Sequence, residues 1–537
     1  MRSIKSIILF LVLALAILIP IKAEAADKGK ITACYISADK QSVIIEASLP
    51  EGPLNMVVIA EEVWQTIDNG TVVANVSGEA VSFPLAYMSD KSNLTKRFCL
   101  ALPKGDTYEA VSNYMYITNP EILSNNPPKR NDHGIKGILP ASTDAEEFND
   151  LGIKQIMFNM ELGAIISKTE AKQTTEFTYY GRKYYFKNDV LGEYDKIVKW
   201  CTENDYQLTM TLLNAASSKD SNLIHPEALG ATCPTYALNT KTEDGVMHLK
   251  AIAAFLARRY SGGDFGTIDN WILGNQVNAR TEWYYHSSTN LDTNVKEYTK
   301  AFRIFYNEFK SVNANADIYI SLDQEWNRRS NPGCFLSREY LNRFNYWINK
   351  EGNIGWCLGI HPYNAPLYDP YTWMPQDIYV TNDAKTPYLT MLNFDVLLDE
   401  MREESYLTSA GKVRKIMISQ IGYTSSFGEK FQAASIAYAY SKALKYPEIT
   451  GFILFRDIDD DNEVKANIAQ GLKSLNSHKK LAYEYYKTIG TPEFSAYEDE
   501  FEETTGVSLK DMLEDGYFKT RNSWELGDDT DPARESG

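Results

Sequence analysis

The chain reads as an α/β protein: a (β/α)8 TIM barrel preceded by a small all-β, sandwich-like domain. Three observations predict this. From Gly134 onward, short apolar runs alternate with stretches of helical length, eight times over. Before that point the runs are shorter, rich in Val, Ile, Phe and Tyr, and separated by turn residues. Finally, Asp269–Arg280 (DNWILGNQVNAR) and Lys415–Ser426 (KIMISQIGYTSS) share one arrangement, a buried run followed by polar residues and Gly. A barrel strand delivers side chains to its carboxyl-end rim in this way.

In chain order, Arg2 and Lys5 precede an apolar run, Ile7–Ile21, and Ala23-Glu24-Ala25 supplies a small-x-small cleavage site. Residues 1–25 are read as a secretory signal, so the mature chain is expected outside the cytoplasm, secreted or at the cell surface. Residues 30–118 form the β domain, with runs at 42–49, 54–60, 71–76, 97–102 and 108–118. Residues 119–133 carry Asn125-Asn126-Pro127-Pro128 and read as a linker.

The barrel covers 134–490. Strands are expected at 137–140, 155–159, 207–213, 270–274, 317–322, 356–360, 415–419 and 451–455. The first helix is capped by Thr143 with Glu146 three residues on. Further helices are expected at 191–204, 245–259, 295–311, 337–351, 393–402 and 430–445, with a closing one near 472–489. Between the second strand and its helix, Glu176–Asn188 (EFTYYGRKYYFKN) reads as a hairpin folded over the rim. An open doubly wound sheet does not need eight repeats, and no Gly-rich nucleotide turn is present. Residues 491–537 form an acidic tail, read as solvated and weakly packed, with a disordered end.

A chain of 537 residues is too long for one core and implies two or three domains. The net charge of −17 excludes nucleic acid and anionic lipid as partners, since both need basic surface. After signal cleavage no other segment could span a membrane. Six cysteines lack any metal-like pairing, and spacing alone assigns no disulfide. No cofactor and no metal is expected. Asp457-x-Asp459-x-Asp461 suggests a calcium loop, but Asn462 stands where an EF-hand needs Gly, and Ile468 where it needs Glu.

Asn275-Gln276 ends strand four and Gln420 ends strand seven. His361-Pro362-Tyr363 ends strand six. This set resembles the clan A (β/α)8 glycoside hydrolases, which carry two glutamates at the ends of strands four and seven and a His-x-Tyr on strand six. The Gly-Asn-x-Val-Asn of strand four, the Leu-Asp-x-x-Trp of strand five, and the Ser-x-x-Gly-Tyr of strand seven add a closer likeness. Together with the His-Pro-Tyr they resemble an uncharacterised bacterial domain-of-unknown-function family, number 5722, related to those hydrolases. The resemblance runs from about Lys30 to Ile489. It implies a carbohydrate ligand, an oligo- or polysaccharide, at the carboxyl-end face.

The departure from the clan pattern is chemical. Gln276 and Gln420 stand where glutamates are implied. Retaining hydrolysis needs one carboxyl to protonate the leaving oxygen and another, ~5 Å away, to attack the anomeric carbon. A carboxamide does neither, though it keeps one acceptor and two donors for sugar hydroxyls. Three readings fit. The barrel binds a glycan without cutting it; or other carboxylates act, from Glu161, Glu282, Asp323, Glu325, Asp457 and Asp459; or the two Gln are ordinary rim positions. A protein using the barrel as an interaction scaffold is a further alternative. The expected ligand contacts are Asn159, Asn275, Gln276, Trp283, Trp326, His361, Tyr363, Trp373, Gln420 and Tyr423. The tryptophans suit the apolar faces of pyranose rings, and the amides and phenols suit their hydroxyls.

Overall fold

The computed structural model describes residues 29–49, 55–125, 134–215, 222–374, 379–514 and 517. Residues 1–25, read above as a secretory signal, residues 126–133 of the expected linker and the end of the tail lie outside the described residues.

Strands β1 (Lys30–Ile36), β2 (Ser42–Ser48), β3 (Val57–Glu61), β4 (Thr71–Asn75), β5 (Ala80–Pro84), β6 (Arg97–Lys104), β7 (Thr107–Ala110) and β8 (Met115–Tyr116) build the β domain. They form two antiparallel sheets, β1-β2-β5 and β4-β3-β6-β7 with β8 on β6. Period-two alternation buries Val43, Ile45 and Ala47 of β2 on one face. Val58, Phe83, Phe98 and Leu100 join them in one core.

The barrel strands are β9 (Lys136–Ile138), β10 (Gln155–Glu161), β14 (Gln207–Leu213), β15 (Asn270–Leu273), β16 (Asp317–Asp323), β17 (Cys357–His361), β18 (Ile416–Ile421) and β19 (Ile449–Leu454). All pair in parallel, and β19 returns to β9 to close the ring. Between β10 and β14 lie β11 (Ile166–Ser167), β12 (Thr174–Tyr179) and β13 (Arg182–Lys187). The surrounding layer holds α1 (Ala145–Asp150), α2 (Asn188–Glu203), α3 (Glu243–Arg259), α4 (Leu291–Val312), α5 (Ser337–Lys350), α6 (Asp395–Met401), α7 (Glu429–Leu444), α8 (Asp461–Lys465) and α9 (Leu481–Thr488). Among the described residues no helix is long and apolar enough to cross a membrane. All six cysteines are free thiols and buried.

Local chemistry moves some boundaries. The cap of α1 is Asp144, whose Oδ1 accepts the Glu147 N–H at 3.0 Å, not Thr143. The β12–β13 hairpin does not cover the rim. It runs along α3, where Phe186 stacks on Phe255 at 3.7 Å, Phe177 meets the same ring edge-on, and Arg182 pairs with Glu243. Alternating aromatics need an apolar partner, and the helix supplies it. Nor is the whole acidic tail solvated: α10 (Glu498–Thr505) and α11 (Leu509–Met512) follow α9, and Phe494, Phe501 and Met512 are buried.

The β domain and the barrel share polar contacts. Lys250 of α3 donates to both carboxylate oxygens of Glu62, at 2.8 and 3.0 Å. The Tyr116 N–H donates to the Glu351 carbonyl at 2.9 Å, and Asn307 reaches the Leu94 carbonyl at 2.8 Å. On the opposite side of the barrel, Lys136 of β9 donates to the carbonyls of Tyr486 (2.7 Å) and Ile489 (3.0 Å) at the end of α9.

Inside the ring, Met157, Ile272, Tyr319, Cys357, Met417 and Ile453 pack together with Leu139. Two residues further along the same strands stand Asn159, Gly274, Ser321, Gly359, Ser419 and Phe455, on the same side of the backbone. Most of these are small; Gly274, Ser321, Gly359 and Ser419 are buried and Phe455 is half-buried. Asn159 is solvent-exposed although it sits within a barrel strand.

Candidate functional site

The mouth of the barrel is built on β15–β18. After β15 the chain turns at Gly274 (φ 77°), and Gln276 adopts a left-handed backbone with φ 43°. That conformation costs a non-glycine residue about 1–2 kcal/mol. It is held by hydrogen bonds from Val277 N–H to the Ser321 carbonyl (3.0 Å) and from Ala279 N–H to the Gln276 carbonyl (2.8 Å). The result sets the Gln276 amide nitrogen 2.8 Å from His361 Nδ1. His361 Nε2 lies 3.3 Å from Ser321 Oγ. Nδ1 then accepts from the amide, and the ring proton sits on Nε2, facing the serine. Gly359 makes room for this row, because a Cβ there would meet Ser419 Oγ at 2.9 Å and the Ile320 carbonyl at 3.1 Å.

His361 is 1% exposed, and burial lowers its pKa to about 3. The ring is expected to stay neutral in the fold, so its NMR resonances should not titrate between neutral pH and about pH 5. A midpoint near the ordinary value of 6.5 would contradict this assignment. The unfolded ring takes its proton first, so His361 costs the fold stability as pH falls from 6.5 toward 3. Asp323 works in the opposite direction. Burial raises it to about 6, so it stabilises the fold progressively as pH drops below that value.

The second amide completes the row. The Tyr363 hydroxyl is turned to the Gln420 carboxamide, and the Tyr363 ring meets His361 edge-on, with centroids 6.4 Å apart. Gln276 is hydrogen-bonded to His361, Tyr363 lies edge-on to that ring and close to Gln420, and these groups make a row of neutral side chains. Asn275 is half-buried beside Gln276. Glu161 ends β10 half-buried, its own N–H donating to the Tyr194 hydroxyl at 3.2 Å.

Four of the candidate carboxylates are committed elsewhere. Asp323 accepts from Ser337 Oγ at 2.6 Å and from the Glu325 N–H at 2.9 Å, fixing the start of α5. Glu325 accepts from the Ser330 N–H at 2.8 Å and from the Ser330 hydroxyl, rather than pairing with Arg328 or Arg329. Asp457 accepts the Ala141 N–H at 2.9 Å. Asp459 is buried against Lys480 at 2.8 Å and the Gly471 N–H at 2.8 Å. Glu282 is exposed and accepts from Asn331 at 2.8 Å.

The tryptophans separate in the same way. Trp283 is 40% exposed, but Trp326 and Trp373, expected as sugar platforms, are 0% and 2% exposed and anchor their loops. Tyr423 is likewise buried, its hydroxyl 3.4 Å from Thr372 Oγ1. Among the described residues no cluster of three or more His, Cys, Asp or Glu side chains could hold a metal ion.

Two contributors lay outside the sequence reading. Ser321 supports both Gln276 and His361; its place two residues before Asp323, on the same strand face, is the signal that could have found it. Glu463 of α8 lies near enough to Tyr363 to raise its hydroxyl, and burial raises the Glu463 carboxyl, with Arg456 3.7 Å away opposing. No motif marks it. A cavity of about 570 Å³ lies on the helical flank between Arg338, Asp395, Lys442 and Tyr446, away from this mouth. Its charges pair with one another, Lys442 with Asp395 at 3.0 Å and Arg338 with Glu400 at 2.7 Å.

A family described as "Family of unknown function (DUF5722)" matches residues 128–512. No curated protein matches the sequence. Among solved structures, a family 39 glycoside hydrolase from the gut symbiont Bacteroides cellulosilyticus WH2 aligns at 13% identity and a TM-score of 0.42, over 87% of this chain and 80% of that one. A Bacteroides uniformis beta-glucuronidase aligns at 11% identity and 0.37, over 86% and 51%. A GH2 beta-galacturonidase from Eisenbergiella tayi bound to glycerol aligns at 12% and 0.36, over 86% and 71%. With likenesses of this size, the fold rests on the strand order and register of the chain itself.

Proposed function

The chain belongs to the DUF5722 family, and from that premise we propose that it is an exported, glycoside-hydrolase-like barrel that holds carbohydrate at its carboxyl-end mouth without cleaving it. The observation that carries this reading is the amide donating to a neutral His361. The glutamine donates to Nδ1 and leaves the imidazole neutral, whereas a carboxylate at 276 would require the ring proton to move to Nδ1. Two carboxamides and a phenol offer the mixture of donors and acceptors that sugar hydroxyls require, with no group able to attack an anomeric carbon. The exposed Asn159 supports an open mouth over the filled one that a pure scaffold would tolerate.

One observation favours a second reading, cleavage through relocated carboxylates. Burial raises the Glu463 carboxyl, near enough to Tyr363 to raise its hydroxyl, which suits it to act as the acid, with Glu161 at the end of β10 as the second carboxylate. One experiment tests both: glycan-array binding beside hydrolysis assays of the wild type, of Gln276→Glu/Gln420→Glu, and of Glu463→Gln. Binding by the wild type with hydrolysis only in the double glutamate variant is the expected result. Equal hydrolysis by wild type and double variant, lost in Glu463→Gln, would overturn it in favour of cleavage.

A further inference from the structure

Four large aromatic side chains are exposed among the described residues: Trp283, Tyr346, Tyr368 and Phe427. Tyr346 lies on α5 and is flanked by the cations of Arg343 and Lys350, each 5.4 Å from its ring centre. The other three, 40%, 53% and 52% exposed, are all carried by loops at the carboxyl end of the barrel. Each follows a member of the polar row on the same loop. Trp283 comes after Gln276, Tyr368 after Tyr363, and Phe427 after Gln420. Leaving such a ring in water forgoes about 1.5–3 kcal/mol of burial. Three of them on loops at the same end of the barrel form an apolar set that the fold itself does not use.

The charges at this end narrow the ligand. The row consists of amides, a phenol and a neutral imidazole, and Glu161 adds a carboxylate. Arg456, on the loop after β19, lies between Asp460 and Glu463 at 3.7 Å from each and is matched by them. On the loop after β16, Arg328 lies 4.4 Å over the Tyr379 ring and Arg329 donates to the Cys334 carbonyl at 2.9 Å, so a uronate or sulfated chain would find no uncommitted cation among these residues. The spacing narrows it further. Trp283 stands seven residues beyond Gln276 and Phe427 seven beyond Gln420 on their loops, so a unit held between the two amides leaves the aromatic faces to its neighbours in a longer chain.

We propose that the ligand is an uncharged oligosaccharide or polysaccharide, recognised along its length, lying across the mouth on Trp283, Tyr368 and Phe427 while Gln276 and Gln420 hold the unit at the centre. This rests on the carbohydrate-binding reading above and adds which class of glycan, and which part of it, is bound.

The test is isothermal titration of the wild type and of Trp283→Ala, Tyr368→Ala and Phe427→Ala with neutral gluco-, xylo- and manno-oligosaccharides, from monosaccharide to hexasaccharide, beside oligogalacturonates of equal length. For at least one neutral series, affinity is expected to rise about tenfold or more with chain length. Each ring variant should lose about tenfold for the long members while keeping wild-type affinity for the shortest one that binds. The rings are exposed, so the variants should melt with the wild type, and a circular-dichroism melt checks this. Affinity independent of length and unchanged in all three variants would overturn the inference while leaving carbohydrate binding in place. Tighter binding of the galacturonates would overturn the charge assignment. No binding by any series would remove the reading beneath it as well.

Discussion

Replacing Lys250 with methionine is expected to lower the unfolding free energy by about 3 kcal/mol, the low end of the cost of breaking a buried ion pair. The Lys250 side chain is fully buried and its partner Glu62 is 14% exposed, which is why the low end applies. Burial alone would lower the Lys250 pKa, but Glu62, Tyr180 and Glu308 more than reverse it, so the ammonium stays charged. It also sits 4.3 Å over the Tyr180 ring. Methionine keeps the bulk and removes the charge, which strands Glu62 of the β domain against helix α3. Urea denaturation should show an earlier midpoint with an unchanged slope. Adding Glu62→Gln to the variant should restore part of the loss, because the unpaired carboxylate is then gone. A loss below about 1 kcal/mol would mean the pair contributes no more than a surface contact.

Gln276→Ala and Gln420→Ala should each weaken glycan binding about tenfold, or about 1.4 kcal/mol, and the double variant about a hundredfold. Gln276 is half-buried and donates to His361, and Gln420 is half-buried facing Tyr363. Truncation removes ligand contacts and leaves a buried imidazole nitrogen without its donor. Neither side chain belongs to the packed interior, so melting temperatures should stay within a few degrees of the wild type. Titration of the tightest-binding glycan from the array measures both quantities. Wild-type affinity in the double variant would place the ligand away from the mouth.

The ring of strands was legible because each barrel strand is a short apolar run between polar turns, and that pattern survives any packing of the helices around it. Asn270–Leu273 and Gln207–Leu213 lie within a residue of where their sequence places them. Part of the candidate site was legible for a related reason: residues at or just past a strand end gather at one end of the barrel, and there Gln276 meets His361 at 2.8 Å. Sequence could not tell Trp283 from Trp326. Both follow strand ends, but Trp326 is covered by neighbouring loops, and what covers a loop is decided by segments far away in the chain. The hairpin failed similarly, since its aromatics needed an apolar partner and nothing local says that Phe255 would be it. Tyr368 and Phe427 went unremarked because single aromatics in a Tyr-rich sequence carry no signal until exposure marks them.

The opening strand of the barrel is three residues long, and it is fastened through Lys136 to carbonyls some 350 positions later. During synthesis on the ribosome, strands β10 to β18 can emerge and pair in order, but the circle lacks its last partner until β19 and then α9 are free of the exit tunnel. Until that moment the nascent chain is an open sheet with two unprotected borders. A premature stop before Ile449 would therefore yield not a slightly shorter barrel but a polypeptide prone to pairing with its neighbours on the polysome.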